Sequence, residues 1–144
     1  MRLSMRRFAF TLLELVTVLT LVGVLMALAV PRFSAMRDGA SVRAAMADLG
    51  ADFSMARQSA ITRRTTVAVV FDTTSGSVLL RSGTRVMSRH DLRAAYGIVL
   101  GANRDSAVYD SRGLGYGVSN MTVTIRRGAI VDTLTMSRLG RVRW

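Results

Sequence analysis

The chain has 144 residues, the length of one domain, and 50% of them are hydrophobic. It contains no cysteine, so disulfide bonds and thiolate metal sites are excluded. The formal net charge is +11 and every basic residue is an arginine, which favours acidic partners such as phospholipid headgroups, nucleic acid or acidic proteins.

An apolar segment occupies residues 10–30 and is followed by Pro31. As a helix, this segment would span about 31 Å, which matches the roughly 30 Å hydrocarbon core of a bilayer. Arginines at positions 2, 6 and 7 precede it. They predict a cytoplasmic N-terminus and an exported C-terminal part.

Two simple interpretations of this segment each leave something unexplained. A cleaved signal peptide is suggested by Ala27-Leu28-Ala29, but the apolar run exceeds the usual length of about 7–15 residues. A plain membrane anchor fits the length, yet it contains Glu14, the only glutamate of the chain. A carboxylate inside the apolar core costs about 2.5–3.5 kcal/mol, so we expect something to compensate its charge.

The residues around this glutamate, Phe10-Thr11-Leu12-Leu13-Glu14-Leu15, resemble the processing site of type IV prepilins and type II secretion pseudopilins. The resemblance implies that a prepilin peptidase cuts between Ala9 and Phe10 and methylates the new amine, giving N-methylphenylalanine. The amine of Phe10 and the carboxylate of Glu14 would then pair within one helix or between neighbouring subunits. The family prefers glycine where this chain has Ala9, so we expect slower processing.

Beyond Pro31, which we expect to kink or interrupt the helix, the sequence still has helical periodicity. The apolar residues that form one stripe at steps of three and four are Val42, Met46, Leu49, Phe53, Ala56 and Ala60. A long helix is therefore predicted from Phe10 to about Thr62, with possible bends at Gly39 and Gly50.

The remainder is predicted to be β-rich. Residues 65–71 and 77–81 form one expected hairpin, 96–100 a further strand, and 111–120 a glycine-rich loop. Residues 121–126 and 130–137 form a second hairpin around Arg127-Gly128-Ala129. The predicted fold class is α+β, with the long helix packed on an antiparallel sheet.

The C-terminal part adds to the resemblance. Residues 108–113, the second hairpin and the ending Leu139-Gly140-Arg141-Val142-Arg143 look like the C-terminal domain of the GspH/FimT branch of pilin-like proteins. This branch contains a minor pseudopilin of type II secretion and a minor pilin of type IV pili. The resemblance therefore implies a pilin-like fold.

Few residues are suited to catalysis. His90, the only histidine, precedes Asp91, but adjacent residues do not face each other on regular elements. The carboxylates lack the spacing of a zinc or calcium site, and no phosphate-binding loop is recognisable. We predict no enzyme activity, no catalytic residue, no metal and no cofactor.

Arginines are concentrated near the C-terminus, with Tyr116 and Trp144 as candidate stacking partners: Arg126, Arg127, Arg138, Arg141 and Arg143. One hypothesis is that they bind a nucleic-acid backbone, and the ending resembles that of FimT-type pilins implicated in DNA uptake. The alternative is that they are solvated charges that protect strand edges or pair with neighbouring subunits. Loss of the leader would lower the formal charge from +11 to about +8.

These features predict a leader at 1–9, a transmembrane or filament-core helix at 10–30, an amphipathic helix at 31–62 and a β-rich domain at 63–144. The implied function is that of a minor pseudopilin of type II secretion or a minor pilin of a type IV pilus. Its expected location is the bacterial inner membrane, single-pass, with a periplasmic globular domain. Expected partners are other pilin-type subunits, the prepilin peptidase and the inner membrane; the alternative function is DNA uptake.

Overall fold

The structure is a computed structural model and describes residues 11–116 and 121–144. The chain forms two compact units, Met1–Ser34 and Ala35–Trp144. Helix α1, Leu12–Arg63, contributes residues to both. Pro31 lies inside α1, so an interruption there is wrong, and the alternative of a kink stays a prediction. A proline removes one N–H donor, and the helix-forming residues on either side maintain the remaining hydrogen bonds.

In the second unit, α1 presents one buried stripe to the core. All six apolar residues predicted for this stripe are buried. Gly39 and Gly50 are buried on the same helix, as is Asp52. Gly50 lies against the C-terminal residue, since a Cβ there would come within 2.7 Å of the Trp144 ring, and bending at the two glycines stays a prediction.

The strands form two antiparallel sheets in the described part of the chain, where the sequence predicts one. The first has the order β3-β2-β1-β5-β6, with bounds β1 Val67–Asp72, β2 Ser77–Ser82, β3 Arg85–Asp91, β5 Ser106–Tyr109 and β6 Gly115–Tyr116. The second has the order β4-β7-β8-β9, with bounds β4 Val99–Ala102, β7 Met121–Arg127, β8 Ile130–Met136 and β9 Val142–Arg143.

Both predicted hairpins are present. β1 pairs with β2 through Val70 and Leu79, and β7 pairs with β8 through Thr124 and Thr133. Gly128 has a φ of 56° in the turn between β7 and β8, a conformation that favours glycine. The α+β architecture is therefore confirmed.

The strand predicted at residues 96–100 is wrong in its first half. A short helix, α2, occupies Leu92–Tyr96, and the strand begins only at Val99. The Asp91 carboxylate accepts a hydrogen bond from the Ala94 amide at 2.9 Å, which caps the start of α2. Gly97, with a φ of 63°, ends the helix in the left-handed conformation.

Four strands were not predicted: β3, β5, β6 and β9. β3 is an edge strand with largely exposed residues, so it lacks the alternating apolar pattern. β5, β6 and β9 contain four, two and two residues, too few for a periodic signal. β6 also lies within the predicted loop 111–120, of which residues 117–120 fall outside the described residues.

The core of the second unit lies between α1 and the inner faces of both sheets. Phe53 of α1 packs against Phe71 and Tyr109, with ring centroids 6.0 and 6.5 Å apart. Burial raises the pKa of Tyr109 to about 12, and its hydroxyl donates to the Gly140 carbonyl at 3.3 Å. Phe53 therefore connects the helix to the first sheet, and Tyr109 connects that sheet to the C-terminal turn.

Candidate functional site

The start of α1 has the geometry of a capped helix. Thr11 Oγ1 accepts a hydrogen bond from the Glu14 amide at 3.2 Å, so the side chain satisfies one of the free N–H groups of the first turn. Glu14 is exposed and lies where the helix dipole favours a carboxylate. It forms no ion pair with any residue that the structure describes. Ala9 and Phe10 lie outside the described residues, and cleavage between them stays a prediction.

Residues 12–30 of α1 are all exposed within the described chain. They include large apolar side chains such as Leu12, Leu28 and Val30, which are 81%, 66% and 67% exposed. By length and composition, α1 is the one described helix that is able to cross a membrane, with a mean hydropathy of 2.4 over an 18-residue window. An apolar surface of this extent requires lipid or protein around it, because water solvates it poorly.

The five C-terminal arginines occupy different environments. Four of them, Arg126, Arg138, Arg141 and Arg143, are exposed. Arg127 differs, because its Nε donates to Asp38 Oδ1 at 2.8 Å and its Nη1 donates to Ser41 Oγ at 2.9 Å. Nη1 also donates to the Tyr96 carbonyl.

Arg127 thus fastens the β7–β8 hairpin to α1 and to the end of α2. The Asp38 and Arg127 side chains are only 26% and 24% exposed, so this charge-assisted contact is partly shielded from solvent. Gly128 lies against the same carboxylate, and a Cβ there would come within 2.5 Å of Asp38 Oδ2. Nε and Nη1 of Arg127 donate within the chain, and the predicted contact of Arg127 with nucleic acid stays untested.

Arg141 and Arg143 line a groove that we call the arginine groove. Its volume is about 360 Å³, and its lining residues are Phe53, Ser54, Arg57, Tyr109, Gly140, Arg141, Val142, Arg143 and Trp144. None of these residues has a side-chain carboxylate. Arg57 of α1 was not predicted as part of this site, since only tertiary packing brings it to the C-terminal strand.

Trp144 forms one wall of the arginine groove and lies against α1. Its six-membered ring occupies the space that a side chain at Gly50 would need. The ring is nevertheless 63% exposed, so one part of it packs on the helix while the rest faces solvent. Tyr116, the other candidate stacking residue, is 71% exposed at the end of β6 and is not part of the groove.

His90 is paired with a residue distant in sequence. Its Nδ1 lies 2.9 and 3.0 Å from the two carboxylate oxygens of Asp52, which is 1% exposed on α1. Asp91, the neighbour of His90 in sequence, caps α2 instead. Ser88 Oγ lies 3.5 Å from His90 Nε2, at the limit of a hydrogen bond. The contact between His90 and Asp52 ties the edge strand β3 to helix α1.

Burial raises the pKa of Asp52 above its usual 3.8. The hydrogen bond and the charge of His90 act in the opposite direction, and the charge of Asp48 raises the pKa further. A carboxyl with a higher pKa in the folded state binds its proton more tightly when folded. Its contribution to stability is therefore complete below pH 3.8 and is lost as the pH rises through the folded pKa.

Asp52→Asn removes this titration but keeps an oxygen that accepts from His90. We expect the free energy of unfolding of the wild type to fall, relative to that of the variant, as the pH rises above 3.8. Urea unfolding of both proteins at a series of pH values, followed by Trp144 fluorescence, measures the difference. Parallel curves for the two proteins would contradict the prediction.

Comparison with known proteins gives one family and one fold. The family described as type II transport protein GspH matches residues 45–140. Two crystal structures of the type IV minor pilin FimU of Pseudomonas aeruginosa are similar, at 16% and 14% identity with TM-scores of 0.64 and 0.59. They cover 75% and 70% of this chain, and 90% of FimU in each case. A search of curated proteins found no significant match.

Proposed function

Because the chain belongs to the GspH family of type II transport proteins, we propose that it is a minor pseudopilin or minor pilin that assembles into a periplasmic filament. Proteins of this family and fold are structural subunits. In the proposed mechanism, the first part of α1 holds the subunit in the inner membrane until assembly. Residues 35–144 then lie on the periplasmic side, and the work of extraction comes from another component of the machine.

The observation that carries this proposal is the exposed apolar surface of residues 12–30 with one carboxylate in its first turn. Lipid surrounds such a surface before assembly, and the helices of neighbouring subunits replace it in a filament. Glu14 remains charged in this environment only if a cation neutralises it. The proposed cation is the N-terminal amine of Phe10, from the same subunit or from a neighbour.

Mass spectrometry of the mature protein tests this proposal. We expect the chain isolated from its native membrane to begin at Phe10, with a methyl group on the new amine. Ala9→Gly is the matched variant and should be processed faster, because it restores the residue that the family prefers. A mature chain that keeps residues 1–9 would contradict the proposed assembly.

We propose DNA binding for uptake as a second candidate function, at the arginine groove. It is supported by three exposed arginines, Arg57, Arg141 and Arg143, that line one groove beside the exposed ring of Trp144. Arginine forks bind phosphates, and an indole ring is a stacking surface for bases. The described lining includes no side chain with a carboxylate that would repel a phosphate backbone.

Gel-shift titration of duplex DNA with the full-length protein in detergent tests this second function. Affinity should fall steeply with salt, and Arg141→Ala and Arg143→Ala should each weaken binding. The matched control is Arg85→Ala, which removes an equally exposed charge from the edge of the other sheet. Absence of binding at low salt would eliminate this function and leave the filament proposal intact.

A further inference from the structure

The outer face of the second sheet carries an array of threonines between two arginines. Thr122 is paired with Thr135 and Thr124 with Thr133, so the four side chains lie in adjacent pairs on two neighbouring strands. Arg126 follows at one end of the array, and Arg143 is paired with Thr135 at the other. We call these residues the threonine face: Thr122, Thr124, Thr133, Thr135, Arg126 and Arg143.

This face is the unburied side of the sheet. The intervening residues of β7 and β8, such as Val123, Ile125 and Leu134, are fully buried on the other side. Val99 of β4 and Val131 of β8 are in register with Arg126 on the two neighbouring strands. These valines are 47% and 54% exposed. Because β-branched side chains have little rotamer freedom to lose, a partner orders this surface at a small entropic cost.

The charge on this face has one sign. Arg126 and Arg143 are exposed, and neither forms an ion pair within the described part of the chain. Asp132, the one carboxylate of β7 to β9, lies opposite the buried Ile125, so it belongs to the inner side of the sheet. An acidic partner therefore complements this face. A second copy of the chain does not, because it would bring the same two arginines.

The spacing of the arginines favours a protein over nucleic acid. Four residues along β8 and two strand intervals separate them, which corresponds to about 16 Å between their Cα atoms. One strand of duplex DNA places a phosphate at every ~3.4 Å of helix axis. Several phosphates would then lie over neutral threonines and valines, whereas a protein surface is able to place carboxylates at the two ends alone.

We propose that the threonine face docks an acidic surface of another pilin-type subunit. The neutral threonine array packs against the partner, and Arg126 and Arg143 pair with carboxylates at opposite ends of the contact. The proposal rests on the proposed function, since it assumes a filament with other subunits. It goes beyond that function in naming the surface of the globular domain that selects the neighbour.

Binding measurements with defined subunits test this surface. The probes are the other prepilin-type proteins of the same cell, each purified in the same detergent as the full-length chain. We expect an acidic subunit to bind, with an affinity that falls as salt is raised. The double variant Arg126→Glu and Arg143→Glu should weaken this binding at least about tenfold, because like charges then meet across the contact.

The matched control is Arg81→Glu with Arg85→Glu, which makes the same change of charge on exposed residues of the first sheet. It should leave the affinity within about twofold of the wild type if the effect is local. Thr133→Tyr is a second variant that keeps the charge and blocks the face by bulk. It should also weaken binding, and its tyrosine is well suited to a strand.

Equal weakening by both charge-reversed doubles would overturn the proposal, and so would the absence of any subunit that binds the wild type. A duplex DNA of 25 base pairs serves as a further probe, at about the same salt concentrations. If DNA alone binds, and Arg126→Glu, which lies outside the arginine groove, abolishes this binding, the face is a nucleic-acid surface and the proposal fails. A processed, methylated N-terminus together with any of these outcomes would leave the filament function standing.

Discussion

Glu14→Ala should leave the protein in the membrane and remove it from the assembled filament. Membrane insertion depends on the apolar run at residues 12–30, and the substitution makes this run more apolar. Assembly depends on the carboxylate, because the Phe10 amine of a processed subunit is costly to bury without a partner. A charge in the apolar core costs about 2.5–3.5 kcal/mol, which corresponds to roughly a hundredfold in the fraction incorporated.

The measurement compares the amount of subunit in sheared or pulled-down filaments with the amount in the membrane. Glu14→Gln separates charge from shape, and it should fail to assemble as Glu14→Ala does. Thr17→Ala, one turn further along the exposed helix, is the control and should assemble normally, since the Thr17 hydroxyl donates to the Leu13 carbonyl of its own helix. Normal incorporation of Glu14→Ala would remove the proposed role of this residue.

Phe53→Ala should destabilise the second unit more than any other single truncation on α1. Its ring is 1% exposed and packs between Phe71 and Tyr109, so the substitution leaves a cavity where helix and sheet meet. Truncation of a buried phenylalanine costs about 3–5 kcal/mol. Because domains of this size are stable by only about 5–15 kcal/mol, the variant should be partly unfolded under mild conditions.

Urea unfolding followed by the fluorescence of Trp144, the only tryptophan, measures this loss. Met55→Ala is the matched control, since Met55 lies on the same helix two residues away and is 47% exposed. It should change the free energy of unfolding by no more than about 0.5 kcal/mol. Similar denaturation midpoints for the two variants would show that Phe53 does not hold the helix to the first sheet.

The different environments of Arg127 and Arg143 affect how mutations of the C-terminal arginines are interpreted. Arg127 contacts Asp38, Ser41 and Tyr96, so its removal weakens the attachment of a hairpin to α1. Arg143 is exposed at the edge of the second sheet and lines the arginine groove. A loss of binding is therefore evidence for a surface contact when Arg143 is changed, whereas a change at Arg127 also alters the fold.

The sequence by itself determined the features that arise within a short window of the chain. The apolar run, the position of Glu14, the buried stripe of α1 and both hairpins follow from the periods of 3.6 and 2 residues and from glycine at turns. The periodic pattern does not reveal α2, a five-residue helix that is set by the cap of Asp91 and the left-handed Gly97. It also does not reveal strands that are too short to show a period.

Tertiary structure alone decided which side chains meet. His90 pairs with Asp52 rather than with its neighbour Asp91, Arg127 reaches Asp38, and Arg57 joins Arg143 in one groove. His90 and Asp52 are 38 residues apart in sequence. Arg127 and Asp38 are 89 residues apart, and no local pattern encodes such a separation. Contacts of this kind depend on how α1 packs against two sheets. Packing sets the distance between two charged side chains and their burial, and it therefore decides whether they form an ion pair.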